Sequence, residues 1–338
     1  MGERIKSKST LLNAEKRGDI PQAKRVQRGQ VSIREWGIDD LPSIGKKFGF
    51  LKKPEKQLVI STYVQKGGVL KTSSTYTIAR TCALHGLNTL IIGLDFECSI
   101  TDVIMPTNED DLLLKNVQGH KGLNDFFMNN TQIKDIISKT SIPTLDVIPE
   151  NHELGSLERW MNRQTRKEYL FKDKLIPALT NYDVIIYDLG PRWDHLSECA
   201  LTSSNVILMP LACELLAFQS SQRNIKDIVN FQEAMAIPTN NQLIIMYPTL
   251  LKRTSMSQQI YAAYLEYFEN YVIPKPIRDS VKGEECLVHQ QTIFEYAPTS
   301  SLAEDYYELI TKLFSKLNDF FSTQTHLEKN DELSEVTQ

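Results

Sequence analysis

A chain of 338 residues can bury a sizeable core, and one large domain with an appendage is the expectation. Its composition, 41% hydrophobic and 24% charged with a net charge of −4, is that of a globular protein and argues against a disordered or fibrous one. No apolar run is as long as a membrane span, and the polar N-terminus MGERIKSKST lacks a signal-peptide apolar core. Cys82, Cys98, Cys199, Cys213 and Cys286 are widely spaced, with no C-x-x-C pair, which favours free thiols in a reducing cytoplasm over disulfides or a zinc site. The charge is uneven: residues 1–56 hold 14 Lys and Arg against 7 Asp and Glu, a balance of +7 that leaves −11 for the remainder. A basic head on an acidic body suggests that the head meets a polyanion, the alternative being a solubilising arm.

Within the head, NAEKRGDIPQAKR (Asn13–Arg25) reads as the end of a helix followed by a G-x-I-P turn. RGQVSIREW reads as two short strands around Gly29, with Val31, Ile33 and Trp36 alternating, and IDDLPSIGKKFG as a helix that packs behind them. From residue 57 onward, β-rich runs alternate with helical patterns. The strands are expected at LVISTY (58–63), NTLIIGLD (88–95), LDVIPE (145–150), DVIIYDLG (183–190), NVILMPL (205–211) and QLIIMYP (242–248). Their nearly continuous apolar character fits a parallel sheet covered on both faces. Helices are expected at Lys71–His85, ending at Gly86, and at Ser197–Ser203. The alternation implies a doubly wound, mostly parallel α/β domain with ligands at the carboxyl ends of the strands. A closing helix over about Ser301–Phe321 carries Leu302, Tyr306, Leu309, Ile310, Leu313 and Leu317 at helical spacing, and the polar tail beyond Thr325 is expected to fray.

The stretch VQKGGVLKTSST (Val64–Thr75) joins the first of these strands to the first helix of the body. Strand, glycine-bearing turn, Lys-Thr and helix is the context that a phosphate loop requires. Gly67 and Gly68 let the backbone turn its N–H groups inward, and the helix adds its positive dipole end. Lys71 can reach the β- and γ-phosphates of a nucleotide, and the Thr72 hydroxyl can ligate Mg²⁺. The strict rule G-x-x-x-x-G-K-[ST] fails at Gln65 and Leu70, and Lys66 is a lysine that it does not ask for. Two further carboxylates end apolar strands, Asp95 and Asp188, where they can hold a metal shell or orient a water.

KGGVLKTS resembles the deviant Walker A motif, K-G-G-x-x-K-[ST], of the ParA/MinD class of ATPases. GLDFECSIT is similar to the D-L-D-P-Q-G-N-A-T block of that class, with Asp95 at the catalytic aspartate, Gly93 in place of the first aspartate, and Phe96 and Glu97 in place of Pro-Gln. YDVIIYDLGP resembles Y-D-x-h-h-h-D-x-P-P, with Asp188 as the Walker B aspartate. Further blocks keep their order to about residue 320, among them LDVIPENHELGSLE, NVILMPLACELLAFQS, IPKPIRDSVKGEE and IFEYAPTSSLAEDYYEL. The resemblance implies ATP and Mg²⁺ as ligands and a loop contributing Gly67, Gly68, Val69, Leu70, Lys71, Thr72 and Ser73. It implies metal binding through Thr72, Asp95 and Asp188, adenine bordered by Tyr247, Pro248 and the Pro274 region, and Lys66 reaching across a dimer to the partner's nucleotide.

The head resembles the end of a MerR-like winged helix-turn-helix such as large plasmid-partition ParA proteins carry, but departs from it in that the first helix would be short or absent. The implied division is 1–56 for DNA binding or dimerisation, 57–324 for the ATPase and 325–338 for a flexible tail. Lys24, Arg25, Arg28 and Arg34 are the candidates for phosphate contact in the head, and Lys252, Arg253 and Arg278 on the body. The class implies partition of DNA by a cytoplasmic, nucleoid-associated homodimer. This dimer would bind non-specific duplex DNA, and a ParB-like centromere-binding protein would stimulate its turnover. The alternatives are a DNA-binding autoregulator with a slow nucleotide switch and a MinD-like membrane-associated division regulator. The Glu- and Asp-bearing segment after Phe321 lacks the basic amphipathic character that the last requires.

Overall fold

The computed structural model describes residues 7–105, 119–238 and 241–335. In the head, α1 (Lys8–Arg17) stops at Gly18, whose φ of 74° is the left-handed conformation that closes a helix. An antiparallel hairpin follows, β1 (Lys24–Arg28) and β2 (Val31–Glu35), turning at Gly29 with φ 64°. Among the described residues α1 is the one helix before the hairpin. Trp36 Nε1 donates to the Pro21 carbonyl at 2.8 Å and the Ala23 N–H to Glu15 at 2.9 Å, which ties α1 to the hairpin base. The next helix, α2 (Leu41–Phe48), docks the head on the body. It lies so close to the end of α3 (Lys71–Leu84) that a Cβ on Gly45 would collide with the Leu84 backbone.

The body is a seven-stranded sheet among the described residues. Its strands in chain order are β3 (Leu58–Thr62), β4 (Thr89–Leu94), β5 (Ser138–Lys139), β6 (Leu145–Ile148), β7 (Val184–Leu189), β8 (Val206–Ala212) and β9 (Leu243–Thr249). The spatial order is β5-β6-β4-β7-β3-β8-β9, parallel throughout except for β5, a two-residue edge strand. All six strands expected from the sequence are present. β5 was not expected, being too short and polar to leave a pattern. Alternate residues divide between two cores. Val59, Ile185, Tyr187 and Ile207 pack toward α6 (Leu154–Met161), α7 (His195–Ser203), α8 (Leu215–Ala234) and α9 (Ser255–Tyr267). Leu58, Ile60, Ile186 and Leu208 pack toward α3 and the closing helix α12 (Ser301–Glu335). Each such aliphatic side chain contributes about 1.5–3 kcal/mol, so the two layers carry the fold.

The closing helix extends well beyond Phe321. The tail, expected to be flexible, has helical backbone to Glu335, and residues 336–338 lie outside the described residues. Glu, Lys and Leu are good helix formers and propagate a helix already nucleated. No helix among the described residues is long and apolar enough to cross a membrane. All five cysteines are buried and free.

Candidate active site

The carboxyl ends of β3, β7 and β4 lie side by side. Thr62 pairs in register with Asp188, and Asp188 with Gly93. The loop that leaves β3 passes over this row and enters α3, so Lys71, Thr72 and Thr75 face Asp188. The Thr72 hydroxyl donates to Asp188 Oδ2 at 2.8 Å and the Thr75 hydroxyl to Oδ1 at 3.0 Å. Asp188 has no exposed surface, and burial pushes its carboxyl up to about 6 against those hydroxyls and the charge of Lys71. Lys71 is 7% exposed, and burial holds its ammonium below the ordinary value while Asp188, Asp95 and Glu97 pull the other way. Its Nζ donates to the Lys66 carbonyl at 2.7 Å across the loop.

The loop backbone adopts the conformation its glycines permit. Gly68 has φ 69°, and no atom lies within 4 Å of a Cβ built on Gly67 or Gly68, so that side of the loop is open. Leu70 is also left-handed, at φ 68° and ψ 32°, a conformation that costs a non-glycine residue roughly 1–2 kcal/mol. The Val69 carbonyl accepts the Thr249 hydroxyl at 3.2 Å, fastening the loop to the end of β9. The side chains of Leu70 and Ser73 turn toward a cavity also lined by Leu250, Ser280, Leu287 and Tyr306.

Asp95 is buried beside this row. Its Oδ1 accepts the Glu97 N–H at 3.2 Å, and Gly190 leaves room for it, since a Cβ there would stand 3.1 Å from the same oxygen. The next residue, Phe96, lies under the Arg192 guanidinium, 4.1 Å from ring centre to Cζ. At the loop mouth Lys66, its side chain 26% exposed, forms an ion pair with Glu214 at 3.5 Å. The structure thus brings Lys66, Lys71, Thr72, Asp95 and Asp188 to one sheet end.

A P-loop fold with such a site has many relatives. The family model for the AAA domain matches residues 57–274. The chain belongs to this family, and is of the ParA type. Soj, the sporulation initiation inhibitor protein of Bacillus subtilis, is 27% identical over 254 residues, covering 74% of this chain and 96% of Soj. The structure of apo McdA from Cyanothece superposes with a TM-score of 0.65 at 16% identity, covering 76% of this chain and 99% of McdA. A plasmid partition protein of Borrelia burgdorferi bound to AMPPNP superposes with a TM-score of 0.60 at 20% identity, covering 80% of this chain and all of that one.

The remaining expected residues lie outside the Lys71–Asp188 cluster. Tyr247 has no exposed surface, and the alternation of β9 turns it into the core with α3 and α12. Pro248 is buried, its carbonyl accepting the Ile277 N–H at 2.9 Å, while Pro274 is exposed. None of the three lines the cavity beside Leu70. Arg278, a candidate for DNA contact, has a side chain 43% exposed that also makes an internal ion pair. Its Nε and one terminal nitrogen grip Asp305 at 2.8 and 2.6 Å, and Asp305 is 1% exposed, so the pair pins α12. Lys252 is exposed and near Glu214 and Asp279, at 3.8 and 3.9 Å, and Arg253 is exposed beside it. Lys24, Arg25 and Arg28 stand on exposed β1, with Arg28 3.9 Å from Glu35, and Arg34 pairs with Glu15.

Thr75 and Glu214 escaped sequence reasoning. Thr75 is three residues after Thr72, one helical turn on, so the spacing held the signal. Glu214 immediately follows the apolar run NVILMPLAC, a strand-end acid like Asp95 and Asp188.

Proposed function

We propose that this chain is a DNA-segregation ATPase working as a homodimer with ATP between its subunits. The observation that carries this reading is the fully buried Asp188 beneath Lys71, held by the Thr72 and Thr75 hydroxyls. An all-oxygen donor pair, Thr72 and Asp188, with the carboxyl pushed up by burial, is a set that a hard cation completes. Thr72 and Asp188 would hold Mg²⁺, with Asp95 beside them, and the metal when bound supplies positive charge to the phosphate oxygens.

Lys71 binds and orients the β- and γ-phosphates from inside the loop, and the amides around Gly67, Gly68 and Val69 complete the cradle. Asp95 orients the attacking water. Lys66 leaves its pair with Glu214, which is partly exposed and weak, and stabilises charge on the nucleotide of the other subunit. The hairpin cations Lys24, Arg25 and Arg28, with Lys252 and Arg253 on the body, bind duplex phosphates without reading sequence. A ParB-like centromere-binding partner stimulates hydrolysis and so releases the protein from the nucleoid.

A second reading, an operator-binding autoregulator, draws on the helix, G-x-I-P turn and hairpin of the head. Equilibrium binding of a fluorescent ATP analogue with and without Mg²⁺ tests the nucleotide site. The expected result is saturable, Mg-dependent binding that Lys71→Ala removes. Binding that ignores both metal and substitution contradicts it. Footprinting on upstream DNA separates the readings, since one protected site without ATP favours the regulator.

A further inference from the structure

Glu150 follows β6, has no exposed surface and lies outside the phosphate-loop cluster. Its backbone N–H donates to Thr101 Oγ1 at 2.9 Å, the Thr101 hydroxyl donates back to Glu150 Oε2, and the Thr101 N–H reaches that same oxygen at 3.0 Å. Thr101 is the third residue of α4 (Ser99–Ile104), where a helix leaves amides without internal partners. Cys98, the residue before α4, has φ 56° and makes no side-chain cap. Glu150 therefore caps α4 from a neighbouring strand.

The same carboxyl fills a second place. A Cβ built on Gly93 would fall inside van der Waals contact of Glu150 Cδ and both its carboxyl oxygens. Position 93 is where the resembling block carries an aspartate, and here Glu150 leaves no room for one. Gly93 is the register partner of Asp188, so the Glu150 carboxyl lies over β4 alongside the Asp188 row. Burial, with Asp188 adding to it, pushes Glu150 up to about 8, and its Oε1 has no hydrogen-bond partner. A carboxyl kept so far from water is held there by shape and by Thr101.

Between Gly93 and α4 runs the turn that carries Asp95, closed by the Cys98 N–H on the Asp95 carbonyl at 3.0 Å. Both ends of this turn touch Glu150. We infer that Glu150 is a positioning residue: packed on Gly93 at one end and capping α4 through Thr101 at the other, it clamps the turn that holds Asp95 at the phosphate site. The role of Asp95 in turnover rests on the ATPase reading above; the clamp itself does not.

The test is amide hydrogen exchange over residues 95–101 together with Mg-dependent ATP turnover, on wild type, E150Q, E150A, T101V, G93D and G93D/E150A. E150Q keeps an acceptor of the same shape, so turnover stays within about threefold and exchange stays slow. E150A lowers kcat about tenfold or more, shifts the KM for ATP less than about threefold, and speeds exchange in the turn about tenfold. G93D forces a second carboxyl onto Glu150 and loosens the same turn, and G93D/E150A recovers slow exchange. If E150A does not fold, the nearly isosteric T101V carries the test, with faster exchange at residues 98–101. Exchange in E150A and T101V equal to wild type overturns the clamp, as does G93D with wild-type stability. A wild type that neither binds nor hydrolyses ATP sinks the ATPase reading instead, while the exchange comparison still decides the clamp.

Discussion

Lys71 and Asp188 are 7% and 0% exposed, with hydroxyls and a backbone carbonyl already arranged around them. Lys24, Arg25 and Arg28 stand instead on a hairpin whose first strand is exposed along its whole length. Both regions are rich in charge, but the first has lost most of its water before any ligand arrives, so each contact there is strong and geometrically fixed. The second keeps its water and gains mainly by releasing counterions from a polyanion. On the proposed reading, chemistry belongs to the first kind of site and sequence-blind attachment to the second. An isolated two-stranded sheet is marginal, so the hairpin also depends on its ties to α1.

The sharpest way to break this contrast is at Lys71. Truncating a buried, partnered cation is costly, so Lys71→Ala is expected to weaken Mg-ATP binding at least about thirtyfold by titration calorimetry. A change under threefold would mean that the buried site is not the nucleotide site. Lys66 stands on the boundary, partly exposed and paired with Glu214. Lys66→Ala is expected to bind ATP nearly as wild type yet lose about a thousandfold in single-turnover rate, as the proposed action across the dimer requires. Equal loss of binding and rate would place it with Lys71.

In the exposed region the effects are smaller and salt-dependent. Replacing Lys24, Arg25 and Arg28 together by Gln is expected to flatten the plot of log affinity for duplex DNA against log salt by about 0.9 per lost contact, with ATP binding unchanged. Arg34→Gln is expected to do less, because Arg34 already pairs with Glu15. An unchanged slope would assign the head to dimerisation.

The smallest effect concerns pH. Glu150 is raised from 4.5 to about 8 by burial, so the folded protein binds more protons than the unfolded chain between those values. Stability contributed by the protonated form is present at low pH and is lost as pH rises through that window. Relative to E150Q, the wild-type Tm is therefore expected to fall by a few degrees from pH 5 to pH 8, measured without nucleotide. Parallel curves for the two proteins would show Glu150 to be ionised throughout.

The sheet was legible because parallel strands covered on both faces are apolar at nearly every position, as in DVIIYDLG and NVILMPL. The phosphate loop was legible because Lys71 and Thr72 open a helix that a short glycine-bearing turn joins to an apolar strand. The burial of Tyr247 was not, because Tyr247 and Pro248 look available in sequence, while the alternation of β9 that turns the Tyr247 ring inward shows only in three dimensions. The ion pair of Arg278 was hidden for a similar reason, its buried partner Asp305 lying 27 residues away. Glu150 stood at a strand end in plain view, but the space above Gly93 that it fills belongs to another strand.

The most direct test of the whole account is binding to random duplex DNA, measured by fluorescence anisotropy across a salt series with ATP and Mg²⁺, with ADP and without nucleotide. Tight, sequence-independent binding with ATP that weakens steeply with salt and is abolished by Lys71→Ala is the predicted result. DNA binding indifferent to nucleotide and to Lys71 would contradict it.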